Sequence, residues 1–416
     1  MNVVLLFLFD GLANVIDYAF HIFLGRTLTP GDFADFQTIN AAFLVVVTGF
    51  GVMQPVVSRF VAGTTTTSTP THNLPPEVRG MFRTVFRLSI LVGIIAGVGV
   101  WLMRSPIAAN LGVPVWSVGA IAWAVALVFS RPVLMGMLQG MERFVAYGMM
   151  RVLFAGGRLV SGVLLVLLGY SLFGALAAVS LGMVAAVFGG LVMVGVGVWR
   201  AGTTLGLDRA WEMVRLSLAA LFAYLAHTTL LSADLFWVNR AFPAETAGLY
   251  ASGVLLRRIL LLLPGVVTIV LFPRVAAAAK QFRTPDRDVW FGVGIVMFVV
   301  LAGTGAYIVM GEWLLGLMFG GGYAAAAVWL GWMGVAILGY SLGTVWMNVF
   351  LASRPWPYVI LLVVTLGGLR VLFPLWGTSI LSVLQVFALG GAVLAIGGGL
   401  LYVFWLRNQL VSGYEG

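Results

Sequence analysis

Long apolar segments alternate with short polar or charged connections along most of the chain. A helix needs about 20 apolar residues to cross a bilayer. Windows of that kind predict twelve spans, at residues 3–25, 33–60, 82–103, 115–138, 145–168, 171–199, 213–240, 247–275, 289–311, 323–352, 356–375 and 378–406. The longest polar stretch runs from Gly63 to Arg79, so no connection is long enough to hold a folded domain. The pattern therefore predicts an all-α integral membrane protein.

The composition supports helices in lipid and gives no sign of an enzyme. Of the residues, 61% are hydrophobic and 9% are charged, whereas a soluble domain has about a quarter charged. Glycine occurs 53 times, which is common where membrane helices pack closely, and barrel strands would alternate in hydropathy. Cysteine is absent, and there is no phosphate loop, zinc-ligand spacing or nucleophile elbow. We therefore expect no catalytic residue, no metal and no cofactor.

The distribution of arginine predicts the orientation. The net charge is +9, and nearly all of the positive charge is arginine. With a cytoplasmic N-terminus, most arginines outside the spans fall in cytoplasmic loops, and only Arg26, Arg104 and Arg240 mark the outer side. This bias predicts a multi-pass protein of the cell (inner, cytoplasmic) membrane with both termini in the cytoplasm. Loop arginines of this kind do not indicate a nucleic-acid partner. The first residues lack a basic region and a cleavage site, so we expect the first helix to be retained.

Three anchors in the sequence indicate an internal repeat. The segments Gly25 to Phe36 and Asn239 to Tyr250 each place an arginine ten residues before an aromatic residue, with proline and an acid between them. The other matching positions are Arg59 with Arg274, Arg143 with Arg354, and Tyr147 with Tyr358. Because both repeats begin on the same side, they predict two parallel six-helix lobes related by a pseudo-two-fold axis, facing a central cavity. The predicted lobes are residues 1–200 and 213–416, joined by a cytoplasmic linker of residues 201–212.

A stripe of polar groups lies inside the first predicted helix. Asp10, Asn14, Asp17 and His21 recur at helical spacing and share one face. Predicted helix 7 repeats the pattern with His227 and Asp234, near Tyr224 and Thr228. An ionisable group near the middle of a bilayer costs roughly 2.5–3.5 kcal/mol, so we expect a function for these groups. One interpretation is a cavity wall that takes up a proton or a cation. The other is a set of hydrogen bonds between helices.

Arginines also lie within the predicted spans. The candidates for substrate binding are Arg131, Arg151, Arg158, Arg257, Arg258 and Arg370. The planar guanidinium group can hold a phosphate group through two hydrogen bonds, so arginines at several depths suit an anionic headgroup. Alternatively, they neutralise Asp17 and Asp234, and Arg151 extends to the interface. Both interpretations stay open at this point.

Several turns resemble those of the Wzx-like polysaccharide flippases of the multidrug/oligosaccharidyl-lipid/polysaccharide (MOP) superfamily. The matching motifs are Gly25 to Phe33, Asp234, Ala247 to Tyr250, Leu271 to Ala276, and Met318 to Tyr323. The basic, polar segment that usually precedes helix 1 in that family is missing here. The resemblance implies a MATE-like fold and a transporter that flips a polyprenyl-pyrophosphate-linked oligosaccharide to the outer leaflet by alternating access.

Other functions fit the sequence less well. An ion-coupled multidrug exporter of the same superfamily would carry cations, which arginines inside the membrane repel. A membrane glycan polymerase or glycosyltransferase normally has a sizeable outer loop, and none is predicted here. A scaffold has no need of charges inside the membrane. The expected partners are the lipid-linked oligosaccharide, membrane lipid, and a polysaccharide polymerase or export machinery. We expect a monomer, with coupling to protons, to sodium or to neither left open.

Overall fold

The protein is helical throughout the part that the structure describes. The computed structural model describes residues 2–64, 74–200, 202–203, 207–261, 275 and 286–406. Nearly all of these residues are helical, and none of them is in a strand. A helix suits lipid because it pairs its backbone N–H and C=O groups within one segment. The predicted all-α membrane fold is confirmed.

The first part of the chain forms nine helices. They are α1 Asn2–Thr27, α2 Pro30–Phe50, α3 Met53–Ala62, α4 Pro76–Leu102, α5 Arg104–Leu111, α6 Val115–Val128, α7 Ser130–Gly140, α8 Phe144–Leu165 and α9 Ser171–Val194. A π-helical segment, Val166–Tyr170, connects α8 to α9, and a short 3-10 helix, Val196–Trp199, follows α9. Two predicted spans are each divided into two helices, because α2 ends before Gly51 and α6 ends before Phe129.

Seven α-helices follow in the described part of the chain. They are α10 Leu207–Leu230, α11 Ala233–Ala241, α12 Ala244–Leu260, α13 Asp286–Phe319, α14 Ala327–Leu351, α15 Trp356–Trp376 and α16 Ile380–Leu401. A 3-10 helix, Gly321–Ala326, precedes α14, and a π-helical segment, Tyr402–Leu406, follows α16. A third predicted span is also divided, because α10 and α11 meet at an angle of 42° around Leu231 and Ser232.

The first pair of repeat anchors, Gly25 to Phe36 and Asn239 to Tyr250, contains turns between helices. The Thr29 side chain accepts a hydrogen bond from the backbone N–H of Asp32 at 3.2 Å, and Pro30 begins α2. Threonine at the cap and proline in the first turn are a common start for a helix. In the second repeat, Phe242 ends α11 and Pro243 precedes α12. The anchor at Arg274 lies outside the described residues.

The chain divides into two compact units, Met1–Leu221 and Phe222–Gly416, and the boundary falls within α10. In the N-terminal unit, α8 packs against α1 and α9, and α6 packs against α4 and α9. In the C-terminal unit, α14 packs against α13 and α16. The second half of the predicted linker, residues 207–212, is the start of α10 rather than a loop. The predicted division into two lobes of six spans stays a prediction.

Close contacts at glycine allow this packing within each unit. A Cβ atom at Gly93 of α4 would lie 2.2 Å from the backbone oxygen of Ala126 in α6. A Cβ atom at Gly339 of α14 would lie 2.3 Å from the carbonyl carbon of Gly391 in α16. No real Cβ atom tolerates such distances to a neighbouring backbone, so these helix pairs require glycine. Small residues at helix contacts are typical of membrane proteins.

The helices occupy the predicted spans, although the count of twelve spans stays a prediction. Among the described residues, eight helical runs are long and apolar enough to cross a membrane, and the bent pair α10–α11 makes nine. One of these runs, Phe144–Val194, contains both α8 and α9. The predicted span 247–275 continues from α12 into residues that lie outside the described part. The chain is a multi-pass membrane protein.

Candidate functional site

Two glycines of α8 fix its register against α1. A Cβ atom at Gly148 would lie 2.5 Å from the Cβ atom of Phe9, and one at Gly162 would lie 2.3 Å from Cε2 of Phe20. Gly148 comes before Gly162 along α8, and Phe9 comes before Phe20 along α1. The two helices therefore run in the same direction, in close contact along much of their length.

Two ion pairs connect these parallel helices, and we call them the α1–α8 ladder. An Nη atom of Arg151 lies 2.8 Å from a carboxylate oxygen of Asp10. An Nη atom of Arg158 donates a short hydrogen bond to Asp17. The two acids are seven residues apart on α1, and the two arginines are seven residues apart on α8. Equal spacing on parallel helices places the rungs about 10 Å apart along the axis.

We call the Asp17–Arg158 pair the upper rung of the ladder. In this rung the acid is accessible and the arginine is buried. Asp17 is 38% exposed, whereas Arg158 is 4% exposed. The ring of Phe20 lies against Arg158, with 4.6 Å between the guanidinium carbon and the ring centre. The side-chain oxygen of Asn40 in α2 lies 3.5 Å from an Nη atom of Arg158. Arg158 is thus held from several sides, while its carboxylate partner remains accessible.

His21 extends this rung by one helical turn. Its Nε2 atom lies 3.5 Å from an Nη atom of Arg158 and 3.8 Å from Asp17. Its Nδ1 atom lies 2.9 Å from the side-chain nitrogen of Gln37 in α2. The predicted polar stripe on α1 therefore includes three groups that meet arginines, namely Asp10, Asp17 and His21. Asn14, on the same helix, is half-buried.

A pocket lies next to the lower rung, which is the Asp10–Arg151 pair, and two of the predicted arginines line it. We call it the arginine pocket, and its volume is about 230 Å³. Its lining residues are Val47, Gly51, Gln54, Val128, Arg131, Pro132, Met135, Tyr147 and Arg151. All of them belong to the N-terminal unit. The pocket therefore brings together residues from α2, α3, α6, α7 and α8.

Arg131 is the least satisfied cation of this group. Its Nε atom is buried and has no hydrogen-bond partner among the described residues. Its guanidinium carbon lies 4.9 Å from the ring centre of Phe154. None of the ion pairs between described residues involves Arg131. Arg131 also lies near enough to Arg151 and Arg158 to be repelled by them.

Among its described residues, the C-terminal unit contains one closed ion pair, which we call the Asp234 pair. Arg257 of α12 donates to both carboxylate oxygens of Asp234 in α11, and the second of these bonds is 2.7 Å long. The hydroxyl group of Tyr250 donates a short hydrogen bond to the same carboxylate. Asp234 is 0% exposed and Arg257 is 1% exposed. The ring of Phe387 covers the guanidinium group.

The Asp234 pair lies at the break between α10 and α11. A break leaves backbone carbonyl groups without their helical partners, and such groups must be satisfied inside a membrane protein. Arg257 donates to the backbone oxygen of Leu231, at the break, over 3.0 Å. The same guanidinium group thus binds the carboxylate and a carbonyl of the bend. These contacts match the alternative interpretation that Arg257 neutralises Asp234.

One interpretation of the sequence placed Asp234 in the wall of a cavity, but its side chain is fully buried in this structure. With 0% exposure, its carboxylate reaches no solvent in this structure, because α11, α12 and α16 enclose it. His227, from the same predicted stripe, is also buried and pairs with Thr344 of α14 at 2.9 Å. The other predicted arginines of this unit differ, because Arg258 is half-buried and Arg370 is exposed. Their roles in binding stay predictions.

Sequence reasoning missed several polar side chains of these sites. Gln37 and Asn40 of α2 surround the upper rung, Gln54 and Tyr147 line the arginine pocket, and Tyr250 binds Asp234. Each is a polar residue inside an apolar window, which is a signal that the sequence does contain. Tyr147 and Tyr250 were recognised only as repeat anchors.

Several solved structures share this fold. An inward-facing multidrug resistance MATE family transporter of the MOP superfamily is 14% identical, with a TM-score of 0.78, and the match covers 96% of this chain and 95% of that chain. The lipid II flippase MurJ in its inward closed conformation is 10% identical, with a TM-score of 0.73, covering 96% of this chain and 87% of that chain. At such identities the likeness concerns the fold, which is that of the MOP superfamily.

The family follows from a match of the sequence itself. A family model described as "polysaccharide biosynthesis protein" matches residues 23–328, which is well over half of the chain. The chain therefore belongs to the polysaccharide biosynthesis protein family. A comparison with curated proteins gives no match. The resemblance seen in the turns of the sequence is confirmed by the family and by the fold.

Proposed function

We propose that the protein flips a polyprenyl-pyrophosphate-linked oligosaccharide from the cytoplasmic leaflet to the outer leaflet by alternating access. The family supports a role in polysaccharide biosynthesis, and the fold is shared with transporters and with a lipid II flippase. In this proposal the glycan and its pyrophosphate pass along the arginines of the membrane-spanning helices, and the polyprenyl chain stays in lipid.

The observation that carries the proposal is an excess of positive charge in the N-terminal unit. Arg131, Arg151 and Arg158 lie close together, and the acids that pair with this group among the described residues are Asp10 and Asp17. Arginine stays charged in a protein, and an unbalanced charge in a membrane is costly. An anionic substrate supplies the missing charge, whereas a cationic drug would add to the excess. This favours the flippase over the multidrug exporter.

The ladder also offers a place for ion coupling in this mechanism. Asp17 is 38% exposed, so a proton or a sodium ion can reach it, while its partner Arg158 is held by Asn40 and His21. A cation that binds Asp17 weakens its hold on Arg158. We propose that this exchange alters the contact between α1 and α8 during the transport cycle.

Reconstitution into vesicles tests the proposal. The purified protein is placed in vesicles with a polyprenyl-pyrophosphate-linked disaccharide, and a membrane-impermeant sugar-binding lectin reports how much reaches the other leaflet. We expect Arg158→Gln and the charge-balanced pair D17N/R158Q to slow flipping about tenfold or more, because both remove a charge-assisted contact. Arg104→Gln is the matched control, since Arg104 packs on Trp101 instead.

Two results would contradict the proposal. One is an absence of glycan-lipid flipping by the purified parent protein; flipping at the parental rate by a normally folded D17N/R158Q would instead contradict the role given to the α1–α8 ladder. The other is a protein that exports a cationic dye but does not flip the glycan lipid, with dye export inhibited by competing cations. The second result would favour the multidrug exporter.

A further inference from the structure

The arginine pocket has a chemistry that the ladder alone does not explain. We infer that it is a subsite for the pyrophosphate group of a lipid-linked sugar, and that Asp10 is an internal anion which gives up Arg151 when the ligand binds. The inference deepens the proposed function and relies on it for the identity of the lipid. Its evidence lies in the donors, the charge and the exposure of the pocket.

The donors in the pocket are directed by a short hydrogen-bond network. The side-chain nitrogen of Gln54 donates to Gln139 at 2.9 Å and to the hydroxyl oxygen of Tyr147 at 3.2 Å. Because Tyr147 accepts this bond, its own O–H group can donate to a ligand. Arg131 adds a guanidinium group whose Nε atom is unsatisfied among the described residues. A phosphate group accepts bonds from both kinds of donor.

The net charge of the pocket rises by one when the Asp10 carboxylate moves away from Arg151. With Asp10 bound, Arg131 and Arg151 carry two positive charges against one carboxylate. Without Asp10, two positive charges remain. A pyrophosphate that is esterified at both ends carries two negative charges at neutral pH. The ligand therefore balances the pocket only if Asp10 gives way.

Exposure makes this exchange possible at Asp10 and prevents it in the Asp234 pair. Arg151 is 29% exposed and Asp10 is 31% exposed, so water can solvate either partner as they separate. An Nη atom of Arg151 lies 2.8 Å from an Asp10 oxygen, yet that oxygen accepts no hydrogen bond from the described residues. The contact is therefore an ion pair without the geometry of a hydrogen bond. Arg257 is enclosed and bound by three groups, and it cannot change partners without unpacking.

Space and position agree with a headgroup subsite. A volume of about 230 Å³ equals the share of roughly eight liquid water molecules, which is enough for two linked phosphate groups. Asp10 belongs to α1 and Arg151 belongs to α8. Ligand binding would therefore break the lower rung of the α1–α8 ladder and leave only the upper rung. Occupancy of the pocket is in this way linked to the contact between the two helices.

Calorimetric titration of the full chain in neutral-lipid nanodiscs tests the inference, with inorganic pyrophosphate as the probe. We expect Arg131→Gln to weaken binding about tenfold, because it removes charge-assisted hydrogen bonds. Asp10→Asn is expected to tighten binding by up to about fivefold, the worth of a partly exposed ion pair. In an R151Q background, Asp10→Asn should change nothing. Arg104→Gln is the control of equal charge.

A second arm separates possible sources of the phosphate. A short-chain isoprenyl pyrophosphate should compete with inorganic pyrophosphate, while phosphatidylglycerol, with a single negative charge, should compete weakly. The inference is overturned if Arg131→Gln binds pyrophosphate as well as the parent, if Asp10→Asn weakens binding, or if phosphatidylglycerol competes equally. Failure of the flippase proposal looks different, because pyrophosphate binding would then follow this pattern while glycan-lipid flipping would be absent.

Discussion

Two acid–arginine pairs among the described residues, Asp17–Arg158 and Asp234–Arg257, have the same chemistry and different surroundings. In the N-terminal unit, Arg158 is buried but Asp17 is 38% exposed. In the C-terminal unit, Asp234 and Arg257 are both enclosed, at 0% and 1% exposure. An ion or a ligand can approach the acid of the first pair without unpacking of the helices, whereas the second pair is enclosed. The difference teaches that a charged pair within a membrane span is a candidate for exchange only where one partner is accessible.

The course of the helices explains this difference. Asp17 lies on α1, which is continuous from Asn2 to Thr27, so the ladder has no backbone group to satisfy. Asp234 lies in the first turn of α11, just after the 42° bend. Its partner Arg257 also binds the Leu231 carbonyl of that bend. The Asp234 pair therefore stabilises the bend between two helices, whereas the ladder connects two helices that are each continuous at the paired residues.

The largest effect is expected when the Asp234 pair loses its acid. Asp234→Ala leaves Arg257 buried without a counter-charge, which typically costs about 3–5 kcal/mol. Thermal unfolding in detergent, measured as the fraction of protein that stays folded, should show a large loss of stability. Asp10→Ala is the matched control, and its cost should stay under about 1 kcal/mol because that pair is partly exposed. Equal stability of the two variants would remove the contrast between the units.

A smaller loss of stability is expected in the N-terminal unit. Arg158→Gln removes the arginine partner of Asp17, but the Asp17 side chain is 38% exposed and lies 3.8 Å from His21, so the cost should be about 1–3 kcal/mol. The same unfolding measurement applies, with Arg104→Gln expected to stay within about 0.5 kcal/mol of the parent. A loss as large as that of Asp234→Ala would show that the ladder is as closed as the Asp234 pair.

Removal of the tyrosine hydroxyl gives the smallest of these effects. Tyr250→Phe deletes one hydrogen bond to Asp234 and leaves both bonds from Arg257 in place. A hydrogen bond to a charged group contributes about 1.5–3 kcal/mol, and the lower end applies here because Asp234 keeps two partners. Chemical unfolding of the variant measures this value. No change in stability would mean that Tyr250 is only a packing residue.

Much of the fold could be predicted from apolar windows alone. Each predicted span that lies in the described residues coincides with one helix or with two consecutive helices, as for residues 145–168 and α8. The breaks at Gly51, Phe129 and Leu231 could not be predicted, because hydropathy does not tell whether an apolar segment is continuous. The turns were better defined, since Pro30 and Pro243 mark helix starts by their chemistry.

The charged residues of the candidate site were predicted from the sequence, but their polar neighbours and their contacts were not. The spacing of Asp10 and Asp17 placed them on one face of α1, and Arg158 was already an alternative partner for Asp17. The pairing of Asp10 with Arg151 needs the register of α1 against α8, which depends on close packing at Gly148. The closed state of Asp234 needs the bend of α10 and α11. Neither can be read from spacing along the sequence.

The most direct test compares two isosteric double variants in the flipping assay. D234L/R257M removes the closed pair, and replacing a buried ion pair by apolar residues of similar size is often neutral for stability. D17L/R158M makes the same change in the ladder. We predict that the first variant is folded and flips the lipid-linked disaccharide near the parental rate, while the second is folded and inactive. A folded D234L/R257M without activity beside an active D17L/R158M would contradict the account.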